Sequence, residues 1–550
     1  MITLKPEVLI IGAGPVGLGL AIELGHRGVQ ALVIERNDRV GYAPRAKTTN
    51  VRTREHLRRW GIADTLAAAS PLGIHYPSNI VFCTRLGGHF ITRLENASYC
   101  QPGRNPLYSE HSQWIPQYAV EEVMRRHAAT LPSVAIRFST EMIGFTQDAG
   151  GVTARIRDLA SGAESVVDAA YLVGADGARS AVREAIGAKM VGEHGIGHHY
   201  NVIFRAPEIA RRHTHGQAIM YWQVNEQAPS LLGPMDRDDR WFFMPPRPPG
   251  ATRFTERDMP DVIRASTGID TPIEILSSDE WVASRLVADR YQDRRVFLAG
   301  DACHLHPPFG GFGMNMGVAD AVDLGWKIAA VLQGWGGPRL FESYTAERRP
   351  VHEMVIEEAV ANHALLSDRL AMPGIEDASP AGEALRRQVG AKIQATKIRE
   401  FYTLGITLGY RYIDSPICIA DGSKPPARDY LNYRPSAHPG CLAPHAWLHD
   451  GASLYDRFGW GFTLLVTDSG EDHEVDSIVR AARAANVPLE VIRPNLPVLG
   501  DLYGTRYALI RPDQHVGWRG NSVTDAGAIL EIVSGWASRP AGSAMTRKRQ

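Results

Sequence analysis

Blocks of apolar residues, broken by a glycine-rich turn, open the chain. Glu7–Ile11 reads as a buried strand, Pro15–Arg27 as a helix and Ala31–Glu35 as a second strand, and a strand–helix–strand unit of this kind requires a parallel sheet. Thr53–Trp60, stopped by Gly61, and Ala119–Ala129, with Val120, Val123 and Met124 at helical spacing, read as further helices. Residues 71–116 between them look largely irregular. Met142–Asp158 has the pattern of a hairpin around Ala149-Gly150-Gly151, followed by a short strand, Tyr171–Ala175. From about 188 to 285 the rhythm changes to short strands, Tyr200–Arg205, Ala218–Val224 and Arg240–Met244, between Pro, Gly and Asp turns. That is the signature of an inserted antiparallel sheet. A buried strand, Arg295–Ala299, a Gly/Pro-rich loop and a long helix, Met314–Leu332, resume the first pattern, and helices run on to about Phe401. After a Pro-rich connector near 424–444, strands Phe462–Thr467, Leu489–Ile492 and Tyr507–Arg511 alternate with helices Val475–Ala485 and Thr524–Trp536. The expected fold class is α/β, in three units: a discontinuous Rossmann-like unit at 1–187 and 286–400, a sheet unit at 188–285, then, after a connector at 401–440, a small α/β unit at 441–550.

Composition narrows the chemistry. The 550 residues are 44% hydrophobic and 22% charged, a soluble profile with enough chain for three cores. Lys plus Arg number 59 against 60 Asp plus Glu, so no chain-wide attraction exists for nucleic acid or anionic lipid, and neither is an expected partner. The five cysteines are scattered and include no C-x-x-C pair, which argues against a disulfide framework or zinc knuckle and fits a reducing cytoplasm. The apolar stretch Val8–Gly25 contains Glu23 and lacks a basic start, so neither a membrane span nor an export signal is expected.

Three clusters carry chemistry. Gly12-x-Gly14-Pro15-x-Gly17 follows a strand and opens a helix; the glycines allow a tight turn, close backbone approach to a pyrophosphate and helix–strand packing. Glu35, with Arg36 beyond it, ends the next strand, where a carboxylate can accept hydrogen bonds from a ribose. Gly174-Ala175-Asp176-Gly177-Ala178-Arg179-Ser180 follows another strand. The third cluster, Gly300-Asp301-Ala302-Cys303-His304 through Pro307-Pro308 and Gly310-Gly311-Phe312-Gly313-Met314-Asn315, places a carboxylate at a strand end and a glycine nest before a long helix, suited to a sugar hydroxyl and a delocalised anion.

In this order the clusters resemble the signature of the FAD-dependent aromatic hydroxylases, single-component flavoprotein monooxygenases related to para-hydroxybenzoate hydroxylase. Pro44-Arg45-Ala46, Arg52-Thr53 with Glu55, Gln117 with Glu121, Leu324-x-Trp326-Lys327 and Tyr344-x-x-Glu347-Arg348-Arg349-Pro350 extend the likeness over most of the chain. Arg205-Ala206-Pro207 and Ser278-Asp279-Glu280-Trp281 resemble the branch of indolocarbazole and polycyclic phenol hydroxylases. The last segment, with Pro444-His445-Ala446-Trp447-Leu448 and Arg511-Pro512-Asp513, is similar to the thioredoxin-like tail of longer members. The resemblance implies a glutathione-reductase-type FAD domain, with Gly12, Gly14, Pro15 and Gly17 at the pyrophosphate, Glu35 and Arg36 at the adenosine side, and Arg45 and Gln117 near the ribityl chain and flavin. It further implies Asp176 and Asp301 as cofactor ligands, Asp301 on the ribitol, and the loop Pro307, Pro308, Gly311, Gly313, Met314, Asn315 along the pyrimidine edge. The implied reaction uses NADH or NADPH as a transient reductant and O2, through a flavin hydroperoxide that attacks an electron-rich ring.

Departures from the family pattern are Phe312 where Gln is frequent, Asp323 where Asn is usual, and Leu442 where Arg is common. Lys47, beside the arginine motif, is a candidate for lowering a phenol's pKa or pairing with a carboxylate, alongside Arg45 and Pro307 as groups near the reacting atoms. Tyr221, Trp222, Arg237, Arg240 and Phe242 of the inserted sheet suit a flat ring with a polar handle. The bland reading has Lys47 solvated and the aromatics filling the sheet's core. His199, His304 and His306 lack a matching acidic cluster in sequence, so no metal is expected. The expected partner is a small phenolic or polycyclic aromatic, bound by a monomer or homodimer. The competing functions are a flavin-binding, ligand-sequestering protein without turnover and a flavin-dependent halogenase, whose W-x-W-x-I-P segment the sequence lacks.

Overall fold

A computed structural model describes residues 3–38, 46–246, 254–365, 370–468 and 472–537. The parallel sheet forms from the apolar runs. Its strands order as Gln292–Asp293, Val296–Leu298, Tyr171–Gly174, Val8–Ile11, Ala31–Ile34 and Val134–Arg137, all parallel apart from the first. Val8–Ile11 and Ala31–Ile34 are buried throughout, as a sheet covered on both faces demands. The helix Pro15–Gly25 and the helix Gly313–Leu332 cross one face. They approach closely because Gly300 and Gly317 leave room for Val16: a Cβ on either would lie 2.8 or 2.5 Å from its Cγ2.

A second sheet of four strands, Thr3–Leu4, Glu164–Ala169, Val152–Asp158 and Thr140–Gln147, contains the expected hairpin. The third sheet is larger than expected. Its eight strands run His304–Leu305, Glu274–Ala288, Met190–Arg205, Arg240–Met244, Ser230–Pro234, Met220–Gln223, Ile80–Cys83 and Phe90–Leu94. The stretch expected to be irregular thus supplies two strands: Ile80–Cys83 pairs parallel with Met220–Gln223, and that pairing is non-local, so no local turn signal announces it. The two faces of this sheet bury separate clusters, one with Tyr221, Trp241 and Phe243 beside the helix Met259–Thr267, the other with Trp222, Phe242, Phe309 and Ile393.

The C-terminal sheet orders Leu489–Ile492, Phe462–Val466, Tyr507–Ile510 and Val516–Gly520, parallel across the first pair and antiparallel thereafter. It packs its apolar face on Trp326, Trp335 and Leu340, which belong to the part built on the parallel sheet. Ion pairs reinforce this join. Lys327 Nζ lies 2.7 Å from Asp323 and 2.6 Å from Glu347. Arg511 Nη1 reaches Glu347 at 2.5 Å, and its Nη2 lies 2.7 Å from Asp513 and 3.3 Å from Asp323. Burial opposes ionisation of Glu347, but Arg511 and Lys327 outweigh it and bring its pKa down to about 2. The same burial raises Asp323, with Glu347 and Asp513 adding to it against the pull of Lys327. The departure at Asp323 therefore has a partner: it faces the tail's arginine. Among the described residues no helix is long and apolar enough to cross a membrane, and the five cysteines are buried and unpaired.

Removing one partner of such a buried network leaves the others uncompensated. Arg511→Met is expected to lower unfolding free energy by about 3–5 kcal/mol, read from the midpoint of urea unfolding at constant slope; a change under about 1 kcal/mol contradicts the argument.

Candidate active site

The glycine turn is built for two different reasons. Gly12 has φ +105°, and a Cβ there would sit 2.4 Å from the carbonyl oxygen of Ala175; one on Gly17 would sit 1.9 Å from the carbonyl of Gly12. Both are required by the protein itself. Gly14 has φ −72° and a Cβ on it would meet open space, so the fold does not require glycine there. A group that must lie against its backbone does, and a pyrophosphate at a helix N-terminus fits. Pro15 begins that helix without using a needed N–H. Glu35 closes the turn: one carboxylate oxygen accepts from the Ala13 N–H at 3.0 Å, and the other from Asn37 at 2.9 and 2.7 Å. Arg36 is exposed beyond the strand.

Asp176 and Ser180 organise the second cluster. The Asp176 carboxylate accepts from the Ser180 hydroxyl and, at 3.1 Å, from the Val182 N–H, while Ser180 caps the helix Ala181–Ala185. Arg183 then ties this turn to the third cluster through the carbonyl of Ala302, 3.1 Å away.

That third cluster hangs on a residue the sequence reading missed. Asp320 is fully buried and accepts from the Gly300 N–H at 3.0 Å, His304 Nε2 at 3.0 Å, Arg348 Nε at 2.7 Å and His352 Nε2 at 2.9 Å. Burial would raise its pKa, but His352, Arg348 and the His304 hydrogen bond hold it well below the carboxylate range. The carboxylate fixes the turn that presents Asp301. Cys303, His304 and Asp320 come within 4.8 Å of one another, yet both Asp320 oxygens already accept two donors and the Cys303 thiol donates to Gly300. Asn315 stitches the loop: its amide donates to the carbonyls of Thr48 and Gly311 at 3.0 and 2.6 Å, and its oxygen accepts from Asn50 N–H at 2.9 Å. Gly311 has φ +67° and accepts no side chain without strain. Pro307 is buried, while Pro308 closes a turn with the Gly311 N–H. Gly313 and Met314 form the first turn of the helix Gly313–Leu332, which has no side-chain cap; its leading N–H groups are donors offered to an anion.

Gln117 is spent on the chain. Its carbonyl accepts from the Ala46 N–H at 3.1 Å, its amide donates to Glu121 at 2.7 Å, and its own N–H meets the carbonyl of Ala46 at 2.9 Å. This clasp positions Lys47. Arg45 and Pro44 lie outside the described residues. Lys47 Nζ stands 4.5 Å over the Phe242 ring, and burial brings its pKa down to about 8. It has no carboxylate partner among the described residues. The solvated reading of Lys47 is thereby replaced by an ammonium facing aromatic surface.

Of the sheet residues, Trp222 and Phe242 lie together in one buried cluster, the ring centroid of Trp114 6.1 Å from that of Phe242 and that of Phe309 6.3 Å from that of Trp222. Tyr221 does not: strand alternation turns it to the other face, where its hydroxyl donates to Gly216 at 2.7 Å. Arg237 and Arg240 also lie outside this cluster. Arg237 is exposed and donates to the Leu72 carbonyl at 2.6 Å, and Arg240 is exposed beside Asp236 at 3.5 Å. The alternation rule, applied to Tyr221, would have excluded it in advance. Lys397, 3.9 Å over Trp222 and 2.7 Å from Glu400, was not foreseen, since a lone lysine at a helix end carries no sequence signal.

Comparison with known proteins identifies the family. A family described as FAD binding domain matches residues 5–359, and one described as aromatic-ring hydroxylase, C-terminal, matches residues 436–540. The chain belongs to the FAD-dependent aromatic-ring hydroxylases. It is 35% identical to a putative polyketide hydroxylase of Streptomyces halstedii over 94% of this chain and 93% of that protein. It is 31% identical to phenol 2-monooxygenase of Pseudomonas sp. (strain EST1001), over 98% and 94%. Among solved structures, the rebeccamycin biosynthetic enzyme RebC with reduced flavin superposes with a TM-score of 0.90 at 35% identity, covering 98% of this chain and 100% of that one. A ternary complex of aklavinone-11 hydroxylase with FAD and aklavinone gives 0.82 at 29%, covering 97% and 99%. The family membership explains the three clusters together. The motif residue Glu347 also joins the tail, since it pairs with both Lys327 and Arg511.

The two glycines separate fold from ligand. Gly14→Ala is expected to leave the melting of the flavin-free chain within about 0.5 kcal/mol of the native protein while weakening FAD binding at least tenfold in a fluorescence titration. Gly12→Ala is expected to lower the melting temperature itself. A Gly14→Ala chain that binds FAD as the native one does removes the pyrophosphate from this turn.

Proposed function

We propose that this hydroxylase acts on a phenolic or polycyclic aromatic held between the Trp222–Phe242 wall and the loop Pro307–Gly313, with NADH or NADPH as reductant and O2 as co-substrate. When bound and reduced, FAD supplies the activated oxygen, which is chemistry a protein lacks on its own. The chain's residues do the rest. Gly12, Gly14 and Gly17 admit the pyrophosphate, Glu35 accepts from the adenosine ribose, and Asp301 takes the ribitol hydroxyls. Asp176, Gln117 and Asn315 act one step back, by shaping the backbone around those contacts. The N-terminal N–H groups of Gly313 and Met314 stabilise negative charge on the pyrimidine edge.

The observation that carries the substrate reading is Lys47 over Phe242. An ammonium at an aromatic wall favours the phenolate of a ring stacked there, and a phenolate is the better nucleophile toward oxygen. Trp222, Phe309 and Trp114 exclude water from that surface, which protects the activated oxygen. Pro307, buried beside Phe309, limits how the loop can move. The ligands bound in related structures, K252c and aklavinone among them, support a substrate of several rings over a single ring.

The class is tested by a panel of phenols scored for NAD(P)H oxidation and product mass: one gained oxygen atom is expected, and a yellow protein that consumes neither reductant nor oxygen with any phenol contradicts the proposal. Lys47 carries its charge below pH 8 and loses it above. The native enzyme's kcat/KM is therefore expected to fall as pH rises through about 8. Lys47→Met is expected to lose that limb and about tenfold in kcat/KM at neutral pH, the scale of one charge-assisted hydrogen bond, while Lys47→Arg keeps activity to higher pH. Identical pH profiles for native and Met enzymes would dispose of the role.

A further inference from the structure

The connector packs on the helix Arg339–His363 and leaves a partly open cavity between them. Val351 and Met354 of the helix line it, with Tyr410, Arg411, Arg428 and Tyr430 of the connector. Its volume is about 30 Å³, room for about two water molecules. An aromatic ring does not fit there. A group of the size of phosphate, with some of its oxygens left toward solvent, does.

The charge around this cavity is unbalanced. Arg411 is half-buried and donates to the carbonyl of Pro426, and its Nε has no partner. Arg428 is exposed, and among the described residues neither arginine has a carboxylate within ion-pair distance. The two stand close to one another: burial lowers the Arg411 pKa from its ordinary value, and the charge of Arg428 lowers it further against the pull of Cys441. Asp429 also lines the cavity, but its carboxylate is taken up by its own turn. It accepts from the N–H groups of Leu431 and Asn432 at 3.0 and 2.9 Å and from the Asn432 amide at 3.1 Å, and the cation it faces is Arg434. Two like charges beside a concave surface raise the local concentration of anions and are relieved by one lodged between them. The walls also reach the catalytic half. Val351, Met354 and Tyr410 share a buried cluster with Phe312 and Met316, and Arg348, which anchors Asp320, lies 5.4 Å over the Tyr410 ring.

We propose that this cavity binds a phosphate group between Arg411 and Arg428, clamping the connector to the helix that carries Arg348. Two carriers offer that chemistry: inorganic phosphate, and the 2′-phosphate of NADPH, which NADH lacks. The second rests on the reductant reading given above; the first does not.

The test titrates inorganic phosphate into the full-length chain saturated with FAD, so that the glycine turn is already filled, and follows the melting temperature against sodium chloride of equal ionic strength. A saturable rise with phosphate and none with chloride is expected. Arg411→Gln and Arg428→Gln are each expected to weaken phosphate about tenfold, the scale of a lost charge-assisted hydrogen bond. Arg428 is exposed, so its variant keeps the test open should Arg411→Gln fail to fold. The KM values for NADPH and NADH then separate the carriers. A KM for NADPH that rises about tenfold in Arg428→Gln, with that for NADH unchanged and phosphate competing with NADPH, assigns the group to the coenzyme. Unchanged KM values for both, with phosphate binding lost in the variant, assign the cavity to inorganic phosphate. Phosphate that moves the native protein no more than chloride does, or moves both variants as far as the native protein, overturns the site. Since the titration involves no turnover, that failure leaves the hydroxylase reading standing.

Discussion

A single buried carboxylate sets the geometry on which the site depends. Asp320 gathers donors from the Gly300 turn, from His304 at the edge of the large sheet, and from Arg348 and His352 on the helix Arg339–His363. Taken out of water, an ion is tolerated only when its lone pairs are filled, and here four donors fill them. The result is rigid because it is over-determined: moving any one of three chain segments breaks a charged hydrogen bond in a low-dielectric surrounding. The turn bearing Asp301 and the helix that opens onto the loop inherit that rigidity. A proton relay through Tyr291, His352 and Asp320 would need the carboxylate to accept a proton, and the same donors that anchor it prevent this.

The two sheets divide the work between charge and shape. The parallel sheet ends in turns that expose backbone N–H groups, while the eight-stranded sheet buries an apolar cluster on each face. Lys47 stands at their meeting point, held by the Gln117 clasp. In the proposed reading the Lys47 ammonium over Phe242, with the Glu400-paired Lys397 over Trp222, would add an electrostatic preference to otherwise apolar walls.

The opening strand, glycine turn, helix and second strand were legible because apolar periodicity and turn residues are local, and each lies within a few residues of its expected bounds. The strands Ile80–Cys83 and Phe90–Leu94 were not, since their partners lie far along the chain. The same distinction runs through the site. Gly12, Gly14, Gly17, Glu35 and Asp301 sit in contiguous motifs, whereas Asp320 draws meaning from Arg348 and His352, and Lys397 from Trp222, which only the folded chain brings near. Tyr221 and Trp222 differ by one position and face opposite ways; composition suggested both, and the pleat allows one.

The ion cluster around Arg511 gives the C-terminal segment a standing different from that of an appendage. Its guanidinium is the counter-charge of carboxylates rooted in the helices Gly313–Leu332 and Arg339–His363. A lineage could not shed this tail by simple deletion, because an orphaned anion would remain inside the catalytic half. Loss would have to be accompanied by neutral replacements at Glu347 or Asp323, so the two parts of the chain are constrained to change together.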